Sequence, residues 1–254
     1  LFDFTTVQIY GEITVYAKWQ EADVTITYNV NGAVWKTVRA FSGDAATLET
    51  EVYVSNKKFV AWCTDAAATS EYNAPEVWAE NQTVTLYAKL ADKTNDDLAL
   101  SESWTVPAVT DTANGDKAQE VIANNKLFVI SSKDTNATYM GTSKAVGLTS
   151  YNKGWRSGNV TNETPVIPLT VVAKEKISLT LHVGFADSKW SGGRSGKLHV
   201  IKNSNEVDLK TVTSTGLNYF KLDLALEAGD VVEIYLSDLN NGSRLWLFDA
   251  SAQI

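Results

Sequence analysis

Two short stretches carry residue types able to grip a polar ligand. Asp187–Lys197 reads DSKWSGGRSGK, and Tyr151–Gly158 reads YNKGWRSG. Each sets a Trp beside Lys and Arg within a run of glycine and serine. An indole presents a broad apolar face for stacking, and a guanidinium presents a planar fork that matches a carboxylate. A Trp in so polar a loop has little core to enter, so its large apolar surface needs a partner. Lys189, Trp190 and Arg194 in the first stretch, and Lys153, Trp155 and Arg156 in the second, are therefore candidate ligand-binding residues. Local packing of the two indoles is the competing reading.

Catalytic chemistry finds less support. No Gly-x-Ser-x-Gly occurs, and no Cys/His cluster has zinc spacing. Gly192–Lys197 has some of the look of a phosphate loop, but its glycines are spaced one residue short. Leu198 also stands where Ser or Thr would hold magnesium. His182 and His199 lie in strand-like sequence, with His182 opposite the apolar register. The single cysteine, Cys63, has no neighbouring His to activate it. The chain therefore reads as a non-enzyme. Its net charge of −8 argues against nucleic acid as the main partner. No apolar run approaches the ~18 residues of a membrane helix. The chain opens inside patterned sequence with no initiator Met or signal peptide, and reads as part of a longer protein.

The elements that must hold these residues are strands. Thr, Val, Tyr, Trp and Ile are plentiful, and alternation outweighs any 3.6-residue period. Val24–Tyr28 and Val34–Ala40 flank Asn31-Gly32 as a hairpin. Lys58–Cys63 and Val84–Leu90 complete a set of four strands. Ala45–Val52 and Gly115–Asn124 are the best helix candidates, both weak. Thr14–Trp19, TVYAKW, returns 71 residues later as Thr85–Leu90, TLYAKL. Residues 1–20 thus read as the tail of a truncated repeat and 21–92 as a complete one. The stretch VTITYNVNGAVWKTVRAFSGD…KKFVAWCTDAAATSEYNAPEVWAENQTVTLYAKL resembles the Listeria–Bacteroides, or internalin B-type, repeat. That resemblance implies a small β-grasp-like fold strung along bacterial surface proteins, serving spacing and adhesion. Ala61-Trp62-Cys63-Thr64 departs from the family's Gly-Trp-Tyr-Thr at two positions, and Leu90 replaces its terminal Trp.

Residues 93–97 lie in a polar, charged linker, and 98–254 read as an antiparallel β-sandwich. Leu127–Ile130, Ile177–Phe185, Leu198–Ile201, Val207–Val212, Tyr219–Leu224, Val231–Leu236 and Arg244–Phe248 are its clearest strands. The run YFKLDLALEAGDVVEIYLSDLNNGSRLWLFDASAQI is similar to the ends of jelly-roll modules appended to secreted polysaccharide-degrading enzymes. The resemblance implies a carbohydrate-binding module, hence a polysaccharide partner and a place in a multidomain chain that is secreted or held at a bacterial surface. It also implies a structural Ca2+, for which Asp249, with Asp116 or Glu120, is the candidate ligand set. A spacer or adhesin segment without a glycan ligand is the alternative.

Overall fold

The computed structural model describes residues 14, 21–94, 97, 99–109, 115–142, 152–164, 166–187, 195–212, 217–240 and 242–254. Every regular element among them is a strand, as the composition predicts. The truncated repeat expected at residues 1–20 lies outside the described residues, Thr14 excepted. Both helix candidates fail: 45–52 is irregular, and 115–124 carries two short strands.

The chain divides into two compact units. One includes Phe59–Leu90 and the described residues up to Thr50; the other comprises Glu51–Lys58 and Ala91–Ile254. The first unit is built on a four-stranded sheet. Its strands are β1 (Val24–Val30), β2 (Ala33–Ala40), β3 (Lys57–Cys63) and β4 (Thr83–Asp92), in the order β2-β1-β4-β3. Asn31 and Gly32 both take positive φ, 52° and 79°, the turn that matches the twist of two paired strands. β1 runs antiparallel to β2 and parallel to β4. Val24, Ile26 and Tyr28 alternate into the core, where Tyr28 meets Trp62 at 4.7 Å between ring centroids. The indole N–H of Trp62 donates to Glu49 O at 2.6 Å, so a polar atom carried inside is satisfied. Cys63 is fully buried beside it.

The second unit is a sandwich of two sheets. Its strands are β5 (Ser101–Thr105), β6 (Asp116–Lys117), β7 (Val121–Asn124), β8 (Phe128–Ser131), β9 (Thr138–Thr142) and β10 (Asn152–Arg156). They continue as β11 (Leu169–Ala173), β12 (Ile177–Asp187), β13 (Gly196–Lys202), β14 (Asn205–Val212), β15 (Asn218–Leu226), β16 (Val231–Ser237) and β17 (Ser243–Gln253). One sheet has seven strands in the order β15-β12-β17-β10-β9-β6, with β5 also on β17; the other runs β14-β13-β16-β11-β8-β7. β5 and β10 share one edge of β17, opposite Asp249–Gln253 and Trp246–Leu247 respectively.

Strict alternation along β12 sends Leu179, Leu181, Val183 and Phe185 inward, as their spacing predicts. They join Leu245, Leu247, Trp155, Val171, Leu198 and Ile234 in one contiguous core.

Glu51–Lys58 belongs to this second unit although it lies within the sequence predicted as a complete repeat at 21–92. The reason is a buried charge. Glu175 is 3% exposed and pairs with Lys93, while its Oε2 accepts the Asn56 N–H at 2.9 Å. Ser55 Oγ accepts the Lys176 N–H at 3.2 Å. A carboxylate taken out of water has to be matched, and this segment supplies part of the match.

Candidate functional site

The outer face of the seven-stranded sheet brings polar and aromatic side chains together in rows. Directly opposed residues in a sheet point to the same side, so the register fixes each row. Ser101, Gln253 and Ser178 form one row across β5, β17 and β12; Ser103, Ser251 and Thr180 form the next. These six residues line a groove of about 480 Å³. Rows lie roughly 6.8 Å apart along the strands, and neighbours within a row about 4.8 Å apart.

A third row places Thr105, Asp249 and His182 together. A β-bulge makes it possible. His182 faces Asp249 and Val183 faces Leu247, so Phe248 is an extra residue in β17. Leu247 and Ala250 both point into the core, leaving Phe248 and Asp249 to share the outer side. His182 Nδ1 lies 2.6 Å from Asp249 Oδ1, and its ring stacks on Tyr219 at 5.3 Å and 28°. Burial first, then the Asp249 charge, holds the Tyr219 phenol above its ordinary pKa. On the neighbouring strand Asp223 accepts from Thr180 Oγ1 at 2.7 Å and pairs with Lys221 at 2.9 Å, and these bonds lower its pKa.

Beyond the bulge the face turns aromatic. Trp246 and Phe248 stack at 5.8 Å and 10°, with Leu217, Tyr219 and Met140 packed around them. Two glycines make room for them. A Cβ on Gly154 would come within 2.8 Å of Trp246 Cε3, and one on Gly184 within 2.9 Å of Phe248 Cε2. Arg156 lies over the Trp246 ring at 5.7 Å, and Arg244 follows two residues along β17 on the same side.

The six ligand residues predicted from sequence fare differently. Lys189, Trp190 and Arg194 lie outside the described residues. β12 ends at Asp187, whose backbone pairs with Ser243. Trp155 corrects the loop expectation. It sits on β10 opposite Leu247 and is fully buried, since residues of its parity face the core. Arg156, one position on, faces outward. Lys153 shares the parity of Trp155 and is half-buried opposite Gly141.

The calcium ligand set does not assemble. Asp116 pairs with Tyr139 on β6, three strands from β17, or roughly 14 Å away laterally from Asp249. The Asp249 carboxylate is engaged with His182, and Glu120 lies exposed at the edge of the opposite sheet. Among the described residues no group of three His, Cys, Asp or Glu could hold a metal ion. The residues therefore do not fit the implied Ca2+.

One arrangement escaped the sequence entirely. On the outer face of the other sheet, His199 Nε2 lies 2.7 Å from Ser237 Oγ, and Nδ1 lies 2.5 Å from Glu206 Oε1. The order Ser–His–Glu matches the roles of a nucleophile relay. It stands on an open sheet surface with Glu206 45% exposed and His199 stacked on Tyr235 at 4.7 Å. A chain of surface hydrogen bonds accounts for it.

The family model for the Listeria-Bacteroides repeat domain matches residues 25–89. Among curated proteins, no sequence matches the chain. Solved structures similar to it include a family 35 carbohydrate binding module from Clostridium thermocellum, at 18% identity and a TM-score of 0.29, covering 49% of this chain and 90% of that one. The CBM22-1 xylan-binding domain of Paenibacillus barcinonensis Xyn10C aligns at 9% identity and 0.32, covering 59% and 97%. A carbohydrate-binding module, CBM36, in complex with calcium and xylotriose aligns at 11% and 0.28, covering 49% and 98%. Likeness this low carries no argument about ligand.

Proposed function

We propose that the sandwich is a non-catalytic carbohydrate-binding module that takes a plant polysaccharide, neutral or acidic, along the outer face of its seven-stranded sheet. The observation that carries this reading is the hydroxyl-lined groove between β5, β17 and β12. A hydroxyl both donates and accepts, as a sugar hydroxyl does, so facing rows of Ser, Thr and Gln can exchange hydrogen bonds with a glycan. Strands fix the spacing of these groups before the ligand arrives, which lowers the ordering cost of binding. Trp190, Lys189 and Arg194, on the stretch that follows β12, are proposed to extend the contact beyond the sheet.

The N-terminal repeat serves as a spacer in this reading, within a larger chain that is secreted or held at a bacterial surface. Its match to a tandem-repeat family supports that role. Immunoblots of medium, envelope and cytosol would test the placement, and a purely cytosolic signal would end it.

Affinity electrophoresis of the whole chain against a panel of neutral and acidic plant polysaccharides tests the binding reading. Retardation by at least one polymer is expected. Ser251→Arg, which fills the groove from an exposed position, should abolish that retardation while leaving the melting midpoint unchanged. Free migration in every gel would sink the proposal.

A further inference from the structure

Arg156 and Arg244 stand together on the outer face with almost nothing to neutralise them. Arg156 lies opposite Trp246 across the β10–β17 pair, and Arg244 sits two residues along β17 on the same side. Each guanidinium carries five N–H donors. The Arg156 Nη2 donates to Thr138 Oγ1 at 3.4 Å, and the Arg244 Nη1 to the Ser157 carbonyl at 3.2 Å. Both Nε–H groups are shielded from water without an acceptor among the described residues.

Among the described residues neither cation has a carboxylate within ion-pair distance. The nearby acid, Asp134, is committed elsewhere: Oδ1 accepts the Asn136 N–H at 2.9 Å and Oδ2 the Gly158 N–H at 2.7 Å. Burial, and then the charge of Arg244, pushes the Arg156 guanidinium down to about 10. Burial also lowers Arg244, against a partial offset from Asp134. Two like charges held side by side and partly out of water are a standing cost unless an anion comes between them.

We propose that Arg156 and Arg244 form an oxyanion subsite that recognises a carboxylate or sulfate group carried on the glycan. This rests on the glycan-binding reading for its ligand and goes beyond it in assigning the charge. A planar fork accepts a carboxylate in a bidentate manner, and a second guanidinium can close on the other side of the same group. The Trp246 ring lies 5.7 Å from the Arg156 guanidinium carbon, a cation–π contact that helps to position the fork. The hydroxyl groove then binds the neutral length of the chain, and the arginine end fixes its register.

The test is a titration of the full chain carrying 15N-labelled arginine, followed through the Nε–Hε signals. Disappearance of a signal in Arg156→Lys and in Arg244→Lys assigns the two resonances. Saturable shifts of both with glucuronate, and none with methyl glucoside, are expected. Sodium sulfate as a second arm separates the sources: a response to glucuronate alone assigns a uronate, a response to both admits sulfated glycans, and a response to sulfate alone assigns a sulfate ester. No shift with either anion overturns the subsite.

In affinity gels, Arg244→Gln should weaken retention by an acidic polymer about tenfold or more while neutral retention stays unchanged. Free migration of the parent protein in every gel, with arginine signals that still respond to anions, would overturn the glycan reading and leave the subsite standing.

Discussion

Gly154 and Trp155 show how one residue step separates packing from display. Gly154 leaves space that the Trp246 indole occupies, and Trp155 fills the core behind it. Gly154→Ala should lower stability by about 1–3 kcal/mol, because a rigid indole held between Arg156 and Phe248 cannot swing aside. Denaturant melts at constant slope would measure it, and a variant as stable as the parent would show that the indole gives way. The sequence KGWRSG could not reveal this arrangement. Glycine and serine mark loops by composition, yet a strand also takes glycine where a large side chain crosses it from a neighbour. Arg156 could be singled out from the sequence as a candidate; Arg244 could not, because only strand pairing brings the two together from 88 residues apart.

At the scale of elements, alternation made β1, β12, β13 and β16 readable, since each buries every second residue over most of its length. The strand β5, SESWT, was not readable. Its outer positions are polar and only the pairing with β17 makes it a strand. The bulge in β17 was equally hidden, because a single extra residue leaves no local signature in an apolar run.

Turns tie the first unit together through Asp23, just ahead of β1. Its carboxylate accepts the Ser42 N–H at 2.9 Å and the Asn81 N–H at 3.2 Å. Bonds to Ser42, then to Asn81, hold its pKa down at about 2. A depressed folded-state value contributes stability above the unfolded pKa near 4, and that contribution fades as pH falls toward 2. Asp23→Asn should therefore flatten the loss of melting temperature between pH 5 and pH 2. Parallel acid profiles of the two proteins would contradict this.

For the whole molecule, the sequence reading set a linker at 93–97, while the two compact units part after Leu90. What it could not show is that Glu51–Lys58 joins the sandwich unit, since the cause is a charge more than a hundred residues away. Glu175→Met alone strands the Lys93 ammonium and the Asn56 N–H, and should cost about 3 kcal/mol, the low end for a broken buried pair because Lys93 keeps some solvent. Lys93→Met added to it should recover part of the loss. A double variant weaker than the single one in chemical denaturation would contradict this account of the charge.

That same segment has a history during synthesis. Asn56 precedes Glu175 by 119 residues. At about 5–20 residues per second the ribosome would deliver the acid about 6–24 s after the backbone group that matches it. The repeat can form its sheet while the chain is still growing, but Glu51–Lys58 must wait for material not yet made. For those seconds the nascent chain exposes Tyr53 and an unmatched loop, which makes the segment a natural place for a holding chaperone or a protease to act.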